Sequence, residues 1–373
     1  SRLANGRSGR LENGSAAVVW TCRALPILNV RRTLRTAVPE RVLERGNSSS
    51  CRAWSLFWQA DNLRACSPAT SAPGAPPQDA DWQRFFRGLP VDSTILDVGT
   101  GNGALALLAR RELGAAARIH GVDAADIDPV RFVSSSESLR SIAFHGRVAM
   151  ESLPFPDAHF DAVVGQYALE YSDTRRSVGE IMRVLAPGGR FCFLLHAAGG
   201  MIERRNAMQQ GQARALLTSP LFPDLRRLLE AIYRAQELEG AATPPANAAL
   251  DAARAEIARF GAMLARLEAR FADDTDRSLV DRLLLAVRRI PAARLENTLP
   301  ELLQQAADVE TLLEAQLQRL RDMADAVLDD ASLKHLERGL LRVGAVDLVL
   351  DQARTPAGGL MGYWISGARR PPV

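Results

Sequence analysis

Apolar and polar positions alternate in a regular way between residues 82 and about 196. Five apolar runs predict strands, at residues 94–98, 118–123, 142–149, 160–165 and 190–195. Amphipathic stretches between them predict helices, at residues 104–113, 129–140 and 175–185. The last helix is expected to end at Pro187-Gly188-Gly189, where glycine supplies a left-handed stop. Strands that alternate with helices across short turns predict a parallel sheet covered on both faces.

A different pattern occupies residues 200–331, where apolar residues recur at steps of three and four. One such seam is Leu250, Ala253, Ile257, Phe260, Leu264, Leu267 and Phe271, and a second runs through Leu299, Leu302, Ala306, Val309, Leu313, Gln316, Leu320, Met323 and Val327. Both are heptad patterns typical of long packed helices. Thr298-x-x-Glu301 predicts a capping box at the start of the second.

This helical block is open to three interpretations besides a hairpin that packs on itself. It enters directly after His196, at the edge where a substrate would approach, which favours a lid or an acceptor-specificity element. It is also interpreted as an arm for homodimerisation or for binding a partner. The apolar stretch 207–222 is a candidate lining for an acceptor pocket.

Composition narrows the class of protein. The 373 residues contain 46 basic and 43 acidic side chains, a balance that calls for neither nucleic acid nor an anionic membrane as a partner. The four cysteines lie far apart without metal-ligand spacing, so we expect no metal site and a reducing compartment. No apolar run is long enough to span a bilayer. We therefore expect a cytoplasmic protein with no membrane span.

The chain before residue 82 is expected to lie outside the sheet. Residues 1–53 are rich in arginine and serine and suggest a disordered or non-native extension, with an organelle transit peptide as the alternative. Residues 54–81 combine a short aromatic helix, which covers the ligand site or the core edge, with a Pro/Ala linker. The rest divides into a ligand-binding α/β core at 82–199, the helical insertion at 200–331 and a closing helix and strand pair at 332–373.

The stretch ILDVGTGNG, residues 95–103, places three glycines directly after the first predicted strand. Gly99, Gly101 and Gly103 allow the backbone to approach a ligand closely, and the following helix points its N-terminus at the same place. Asp123 ends the second strand, 20 residues after Gly103, where an acid accepts hydrogen bonds from both hydroxyls of a ribose. The glycines and the acid together indicate a ligand of the adenosine type.

NAD and S-adenosylmethionine are the two adenosine-containing cofactors to be distinguished. Dinucleotide enzymes use G-x-G-x-x-G, because a pyrophosphate lies against the helix N-terminus. Here the spacing is G-x-G-x-G, and Asp97 directly precedes it. A carboxylate there would repel a pyrophosphate but suits a cationic amine, which favours S-adenosylmethionine over NAD.

Four stretches in this order resemble the class I S-adenosylmethionine-dependent methyltransferases: ILDVGTGNG, HGVDAAD, ESLPFPDAHFDAVVGQYALEY and EIMRVLAPGGRFCFLL. The similarity is to the branch that includes the ubiquinone and menaquinone biosynthesis enzymes (methyltransferase type 11), and it covers residues 82–196. Residues 340–369 resemble the closing antiparallel strands of that fold. The resemblance implies an α/β fold with a Rossmann-like, seven-stranded methyltransferase sheet and a large α-helical insertion between strands 5 and 6.

The resemblance also implies roles for single residues. Those expected to contact the cofactor are Asp97, Gly99, Thr100, Gly101 and Gly103 near its methionine part, Asp123 at the ribose, Met150, Glu151 and Leu153 beside the adenine, and Gln166 near the sulfonium methyl. Family members often have an acid four residues before the Leu-Pro-Phe, where this chain has Ala149. We expect backbone groups of Met150 and Glu151, or the Glu151 side chain, to hold the adenine instead.

Methyl transfer from a sulfonium is an in-line displacement with an activated leaving group, so the protein mainly orients the acceptor. Tyr167 ends the fourth strand near the expected methyl, and His196 ends the fifth. We assign Tyr167 and His196 as candidate catalytic residues, with His196 as the general base that a hydroxyl acceptor would need. The alternative for His196 is a histidine that is hydrogen-bonded at a strand end for structural reasons.

The expected function is transfer of a methyl group from S-adenosylmethionine to oxygen, nitrogen or carbon of a small molecule. The alternative is a non-catalytic cofactor-binding or scaffold protein that uses the helical arm for dimerisation or partner binding. Ala149 favours the alternative, while the glycines and Asp123 favour the enzyme. No motif for a flipped base and no basic patch interleaved with aromatic residues indicates a nucleic-acid substrate.

Overall fold

The computed structural model describes residues 48–65, 78–134, 137–238 and 243–371. Its centre is one seven-stranded sheet with the strand order β3-β2-β1-β4-β5-β7-β6. The strands are β1 Thr94–Val98, β2 Arg118–Asp123, β3 Ala143–Gly146, β4 Phe160–Gln166, β5 Leu185–Leu195, β6 Ala345–Arg354 and β7 Leu360–Arg369. β1 to β5 pair in parallel, whereas β7 pairs antiparallel with both β5 and β6.

Helices cover both faces of the sheet and form the insertion. The helices are α1 Ser48–Trp58, α2 Asp79–Arg87, α3 Ala104–Leu113, α4 Pro129–Phe132, α5 Thr174–Val184, α6 Met201–Leu217, α7 Leu221–Glu237, α8 Pro244–Arg270, α9 Ser278–Ala292, α10 Leu299–Asp325 and α11 Asp330–Arg342. Helices α6 to α10 lie between β5 and β6 in the chain. The α/β class, the seven strands and the position of the insertion confirm the sequence prediction.

The sheet core follows from the apolar strands. All five residues of β1 are buried, because the strand lies inside the sheet with helices on both faces. The strand order reverses between β1 and β4, and the carboxyl ends of these two strands meet at one edge. Ligands of open α/β sheets bind in the crevice at such a switch point, so the fold places the glycine turn where a ligand is expected.

Three predicted elements have different bounds in the structure. The helix predicted at 129–140 is reduced to α4 and a 3-10 turn, Glu137–Ser141, since Val133 is extended and Ser134 is held by the Asp61 side chain. The third strand spans four residues rather than eight, because Arg147 turns the chain with a φ of 61°. α5 ends at Val184, and the next residues continue directly into β5.

The cover helix also begins earlier than predicted. α1 starts at Ser48, whereas the sequence pattern placed residues up to 53 in the N-terminal extension. The earlier start is stabilised by tertiary contacts, since Ser50 Oγ and Trp54 Nε1 both donate to Asp322 of α10. Residues 1–47, the remainder of the predicted extension, and 66–77, which hold most of the Pro/Ala linker, lie outside the described part of the chain.

The insertion has a hydrophobic core of its own, formed by helices α6 to α10. The second heptad seam is buried along most of α10, at Leu302, Ala306, Val309, Leu313, Leu320 and Met323. In α8 the seam is buried from Phe260 to Phe271, but Leu250 and Ile257 are exposed. The insertion is thus a helical block that packs on itself, and the first half of α8 is buried at Ala249 and Ala253 but exposed at Leu250 and Ile257.

Neither a membrane-spanning helix nor a candidate metal site occurs among the described residues. None of the helices there is both long enough and apolar enough to span a bilayer. No three His, Cys, Asp or Glu side chains of these residues are grouped in a way that could hold a metal ion.

The predicted capping box opens α10, with Thr298 and Glu301 each bonded to the other's backbone. We expect Thr298→Ala to lower the free energy of unfolding by about 1 kcal/mol, because an N–H in the first turn loses its acceptor. Thr298→Asp restores an acceptor and is the matched control. Urea denaturation of both variants tests the expectation, and an equal loss in the two would refute the capping role.

Candidate active site

The turn between β1 and α3 requires glycine at two positions for steric reasons. Gly99 and Gly101 have φ values of 64° and 52°, which favour glycine. A Cβ atom on Gly99 would lie 2.3 Å from Cβ of Ala168, and one on Gly101 would lie 2.4 Å from the Trp58 ring. The turn therefore packs tightly against the chain after β4 on one side and against α1 on the other.

Asp97 is buried beneath this turn and organises it. Its carboxylate accepts hydrogen bonds from Thr100 Oγ1 at 2.6 Å and from the backbone N–H of Ala106 at 3.2 Å. Gly103, at the N-cap position of α3, has no side chain for this purpose, so Asp97 caps the helix from the preceding strand. Burial raises the pKa of Asp97 to about 7, against the opposing effect of these hydrogen bonds.

Asp123 lies at the end of β2, beside the same turn. One carboxylate oxygen accepts the N–H of Gly101 and the other accepts the N–H of Ala125, both at 2.8 Å. Burial raises the pKa of Asp123 to about 6, and the two backbone hydrogen bonds counteract it. A carboxylate can accept about four hydrogen bonds, so this group retains capacity for the hydroxyls of a ligand.

Helix α1 covers the turn. The Trp58 ring contacts Gly101, and the Asn102 side chain donates to the backbone oxygens of Trp58 and Asn62 at 2.7 and 2.8 Å. Ser55 Oγ accepts the N–H of Asp126, which lies beyond the end of β2. Burial, and then the charge of Asp123, raise the pKa of Cys51 on the same helix. α1 is thus fastened directly over the predicted cofactor site.

The residues predicted to lie beside an adenine, Met150, Glu151 and Leu153, contact different parts of the structure. Met150 lies next to Gly99, because its Cε is 3.9 Å from the Cβ position of that glycine. Leu153 is buried and donates its N–H to Glu180. Glu151 instead uses its carboxylate to accept the N–H of Asp173, the N-cap residue of α5.

The Gln166 side chain, predicted to lie near the sulfonium methyl, is bonded to helix α2. Its Oε1 accepts a hydrogen bond of 2.7 Å from Trp82 Nε1, on α2. This bond satisfies the indole N–H of a fully buried tryptophan. The structure therefore ties the Gln166 side chain to α2 rather than to the glycine turn.

Tyr167 and His196 lie together at the carboxyl ends of β4 and β5, with ring centroids 4.4 Å apart. Glu170 Oε1 accepts hydrogen bonds of 2.8 Å from both the backbone N–H and Nδ1 of His196. Since an ionised carboxylate can only accept, Nδ1 carries the proton and Nε2 is the basic nitrogen of the ring. Tyr167 has a φ of 54°, a strained value of the kind that clusters at functional sites.

The sequence alone assigns no catalytic role to Glu170. Glu170 and His196 are 26 residues apart and follow different strands. Only the pairing of β4 with β5 brings them together. The one available signal was the position of both residues after the carboxyl ends of neighbouring parallel strands.

A cavity of about 710 Å³ lies between α1 and the insertion. Its walls come from one face of α1, from α6, α9 and α10, and from Met361 of β7. Tyr167 lies directly behind the last wall, since its hydroxyl is 3.5 Å from the Met361 backbone oxygen. From the apolar stretch 207–222, Met208 and Gln209 line the cavity, whereas Leu216 and Phe222 belong to the core of the insertion.

The buried Asp97 gives a testable dependence of stability on pH. Its folded-state pKa of about 7 exceeds the unfolded value of about 3.9, so the native state binds this proton more tightly. The contribution to stability is complete below about pH 4 and falls as the pH rises to about 7. We therefore expect Asp97→Asn to gain about 1–4 kcal/mol relative to wild type between these limits.

Urea denaturation without ligand at several pH values measures this difference. Asp126→Asn, a matched change at an exposed carboxylate, is the control and is expected to lack the trend. An Asp97→Asn variant that is equally destabilised at every pH would show that the hydrogen bonds of Asp97 outweigh its burial.

Comparison with known proteins identifies the core of the chain. Residues 96–193 match the family model described as a methyltransferase domain. A demethylmenaquinone methyltransferase of Thermus thermophilus is 35% identical over 122 residues, which are 31% of this chain and 54% of that protein. A ubiquinone/menaquinone biosynthesis C-methyltransferase, UbiE, of an Enterobacter species is 34% identical over 122 residues, 30% of this chain and 47% of that protein.

The chain spans about half the length of these curated relatives. Among solved structures, a SAM-dependent methyltransferase from Aquifex aeolicus is similar over 32% of this chain and 64% of that one, at 20% identity and a TM-score of 0.28. The matched segment contains the glycine turn, Asp123 and the strands β2 to β4. This segment is thus similar to a methyltransferase domain and to curated methyltransferases of ubiquinone and menaquinone biosynthesis, in agreement with the resemblance seen in the sequence.

Proposed function

We propose that this protein transfers a methyl group from S-adenosylmethionine to a small molecule bound in the cavity between α1 and the insertion. The observation that carries the proposal is the position of this cavity. It lies at the carboxyl edge of the sheet, and Met361 on its wall contacts Tyr167. A cavity of about 710 Å³ is within the usual range of small-molecule sites.

The residues around the glycine turn fit S-adenosylmethionine. Asp123 presents a buried carboxylate with spare acceptor capacity, which suits the two hydroxyls of a ribose. Asp97 lies below the turn with a pKa of about 7, so an approaching cation would favour its ionised form, and no lysine or arginine bonds to it in the described chain. This charge suits a cationic amine and disfavours a pyrophosphate, in agreement with the glycine spacing.

Because Asp97 and Glu151 both bond to the backbone, their proposed contacts are indirect. Asp97 holds the turn in shape and contributes its charge, while Glu151 fixes the chain that leads into α5. Met150 and Leu153 supply apolar surface beside the turn. These roles preserve the cofactor-binding assignment of the region and restrict direct polar recognition to Asp123 and the backbone of Gly99 to Gly103.

The cofactor, when bound, supplies an activated methyl group, so the protein's own part is to position the acceptor and exclude water. Helix α1 excludes water by covering the turn with Trp54 and Trp58. The insertion positions the acceptor by forming most of the cavity wall. We therefore assign the insertion as the acceptor-specificity element of the enzyme.

Glu170 and His196 provide a base for an acceptor that loses a proton. The carboxylate orients the ring, fixes the proton on Nδ1 and stabilises the imidazolium that forms when Nε2 accepts a proton. His196 is buried and does not itself line the cavity, so the proton path leads past the ring of Tyr167. The Enterobacter relative is named as a C-methyltransferase of ubiquinone and menaquinone biosynthesis, which supports a carbon acceptor.

One observation favours a second role for the insertion. Leu250 is 45% exposed and Ile257 is 54% exposed, and both lie on the predicted seam of α8, with the buried Ala253 between them. Such a seam would associate with a second copy of α8, as the dimerisation alternative requires. A scaffold function without catalysis would retain this contact but would not need the paired Glu170 and His196.

Calorimetric titration with S-adenosylmethionine and S-adenosylhomocysteine tests the donor site. We expect Gly101→Arg to weaken binding at least 100-fold, since the side chain would occupy the space of the Trp58 ring. Gly114→Ala is the matched control, because Gly114 also has a positive φ but faces open space. Wild-type affinity in Gly101→Arg would refute the assignment of the turn.

The base is tested by the rate of methyl transfer to an acceptor that loses a proton. We expect His196→Ala to lower kcat by about 10²-fold or more, with unchanged affinity for S-adenosylmethionine. His196→Gln keeps a hydrogen-bond donor for Glu170 and separates the loss of the base from a loss of structure. Full activity in His196→Gln would assign His196 a structural role at the strand end.

A further inference from the structure

The cavity contains more positive charge than its walls neutralise. Five arginines line it, at positions 64, 204, 205, 282 and 319, against one carboxylate, that of Asp276. Arg64 is paired with Asp79 outside the cavity, and the guanidinium of Arg319 lies 3.4 Å from the ring centroid of Phe57. Arg204 donates to the backbone oxygen of Gly199. The remaining charged groups of the lining are Arg205, Arg282 and Asp276.

Asp276 is already fully engaged. Its Oδ2 accepts from Arg205 Nε at 2.5 Å and from Gln209 Nε2 at 2.8 Å, and its Oδ1 accepts the N–H of Ser278 at 3.0 Å. Burial opposes ionisation of Asp276, but the hydrogen bonds from Arg205 and Ser278 outweigh it and keep the pKa below its usual range. Asp276 is thus the ion-pair partner of Arg205.

Arg282 forms no ion pair within the described part of the chain. Burial, and next the charge of Arg205, lower its pKa, while Asp276 acts in the opposite direction. A partly buried guanidinium beside a second cation is unfavourable unless an anion approaches it. Its position on the cavity wall makes a bound ligand the natural source of that anion.

A second buried group on the cavity wall, the side chain of Asn206, has a hydrogen-bond acceptor that no described residue uses. Asn206 Nδ2 donates to the backbone oxygen of Leu320, but its buried Oδ1 has no hydrogen-bond partner in the described structure. Asn206 adjoins Arg205 on α6 and also lines the cavity. A hydroxyl or N–H of a ligand would satisfy this oxygen.

Arg205 and Asn206 lie together at one end of the cavity. The bond from Asn206 to Leu320 places them beside the last turns of α10, near Met323 and the sheet. Further along α10 the wall is apolar, with Val309, Leu312 and Leu313, and α9 adds Leu283 and Ala286. From Met323 to Val309 the lining extends over about 21 Å at the usual helical rise.

We infer that the cavity binds an amphipathic anion, whose carboxylate or phosphate pairs with Arg282 while its apolar part extends between α9 and α10. Such a molecule is the methyl acceptor, a step that rests on the proposed function. Its charged end lies at the level of Arg205 and Asn206, on the side of the cavity closer to Tyr167. The reacting atom consequently belongs to the polar end of the molecule.

The binding of four ten-carbon probes to the full chain tests this inference: decanoate, decyl phosphate, decanol and decyltrimethylammonium. We expect the two anions to bind at least about tenfold more tightly than decanol, because a charge-assisted contact with Arg282 is added. Arg282→Gln is expected to remove this preference and Arg282→Lys to retain it. Arg289→Gln, an exposed arginine of the same helix that does not line the cavity, is the matched control.

Equal binding of decanoate and decanol by the wild-type protein, or an anion preference that survives in Arg282→Gln, would overturn the inference. So would the absence of binding by any probe. Titration of each variant with S-adenosylmethionine reports the donor site separately. Anion binding without S-adenosylmethionine binding would refute the proposed function and leave the anion preference of the cavity established.

Discussion

The attachment of α1 to Asp322 is the contact on which the proposed site depends. One carboxylate on α10 accepts hydrogen bonds from Ser50 and Trp54, and Arg319, one turn earlier on α10, stacks on the aromatic face of the same helix. Trp58, one turn after Trp54 on α1 and stacked on its ring, contacts the glycine turn. A single short helix therefore joins the insertion to the sheet and closes both the cofactor region and the cavity.

Burial of charge is the common feature of the groups at this edge of the sheet. Asp97, Asp123 and Glu170 each accept at least one backbone N–H, and Asp97 and Glu170 are buried while Asp123 is half-buried. In a site that excludes water, electrostatic interactions are stronger than at a protein surface. The cover helix and the insertion thus determine how strongly these carboxylates act, although they contribute none of them.

Local patterns in the sequence predicted the elements that local chemistry determines. The apolar runs located the strands, the glycine spacing located the turn, and Thr298 with Glu301 located the start of α10. Long-range contacts determine the remainder. The first turn of α1 depends on Asp322, the orientation of Gln166 depends on Trp82, and the partner of His196 follows a different strand.

Helix α1 links the glycine turn to the cavity because it contacts both of them. One face contacts the glycine turn, and the other forms a wall of the cavity through Ala53, Leu56 and Phe57. A molecule that displaces or orders this helix from either side changes the free energy of binding on the other side. Such linkage is reciprocal, so donor and acceptor would alter each other's affinity by the same factor. If both proposed sites are occupied, the shared helix is the element through which they would be coupled.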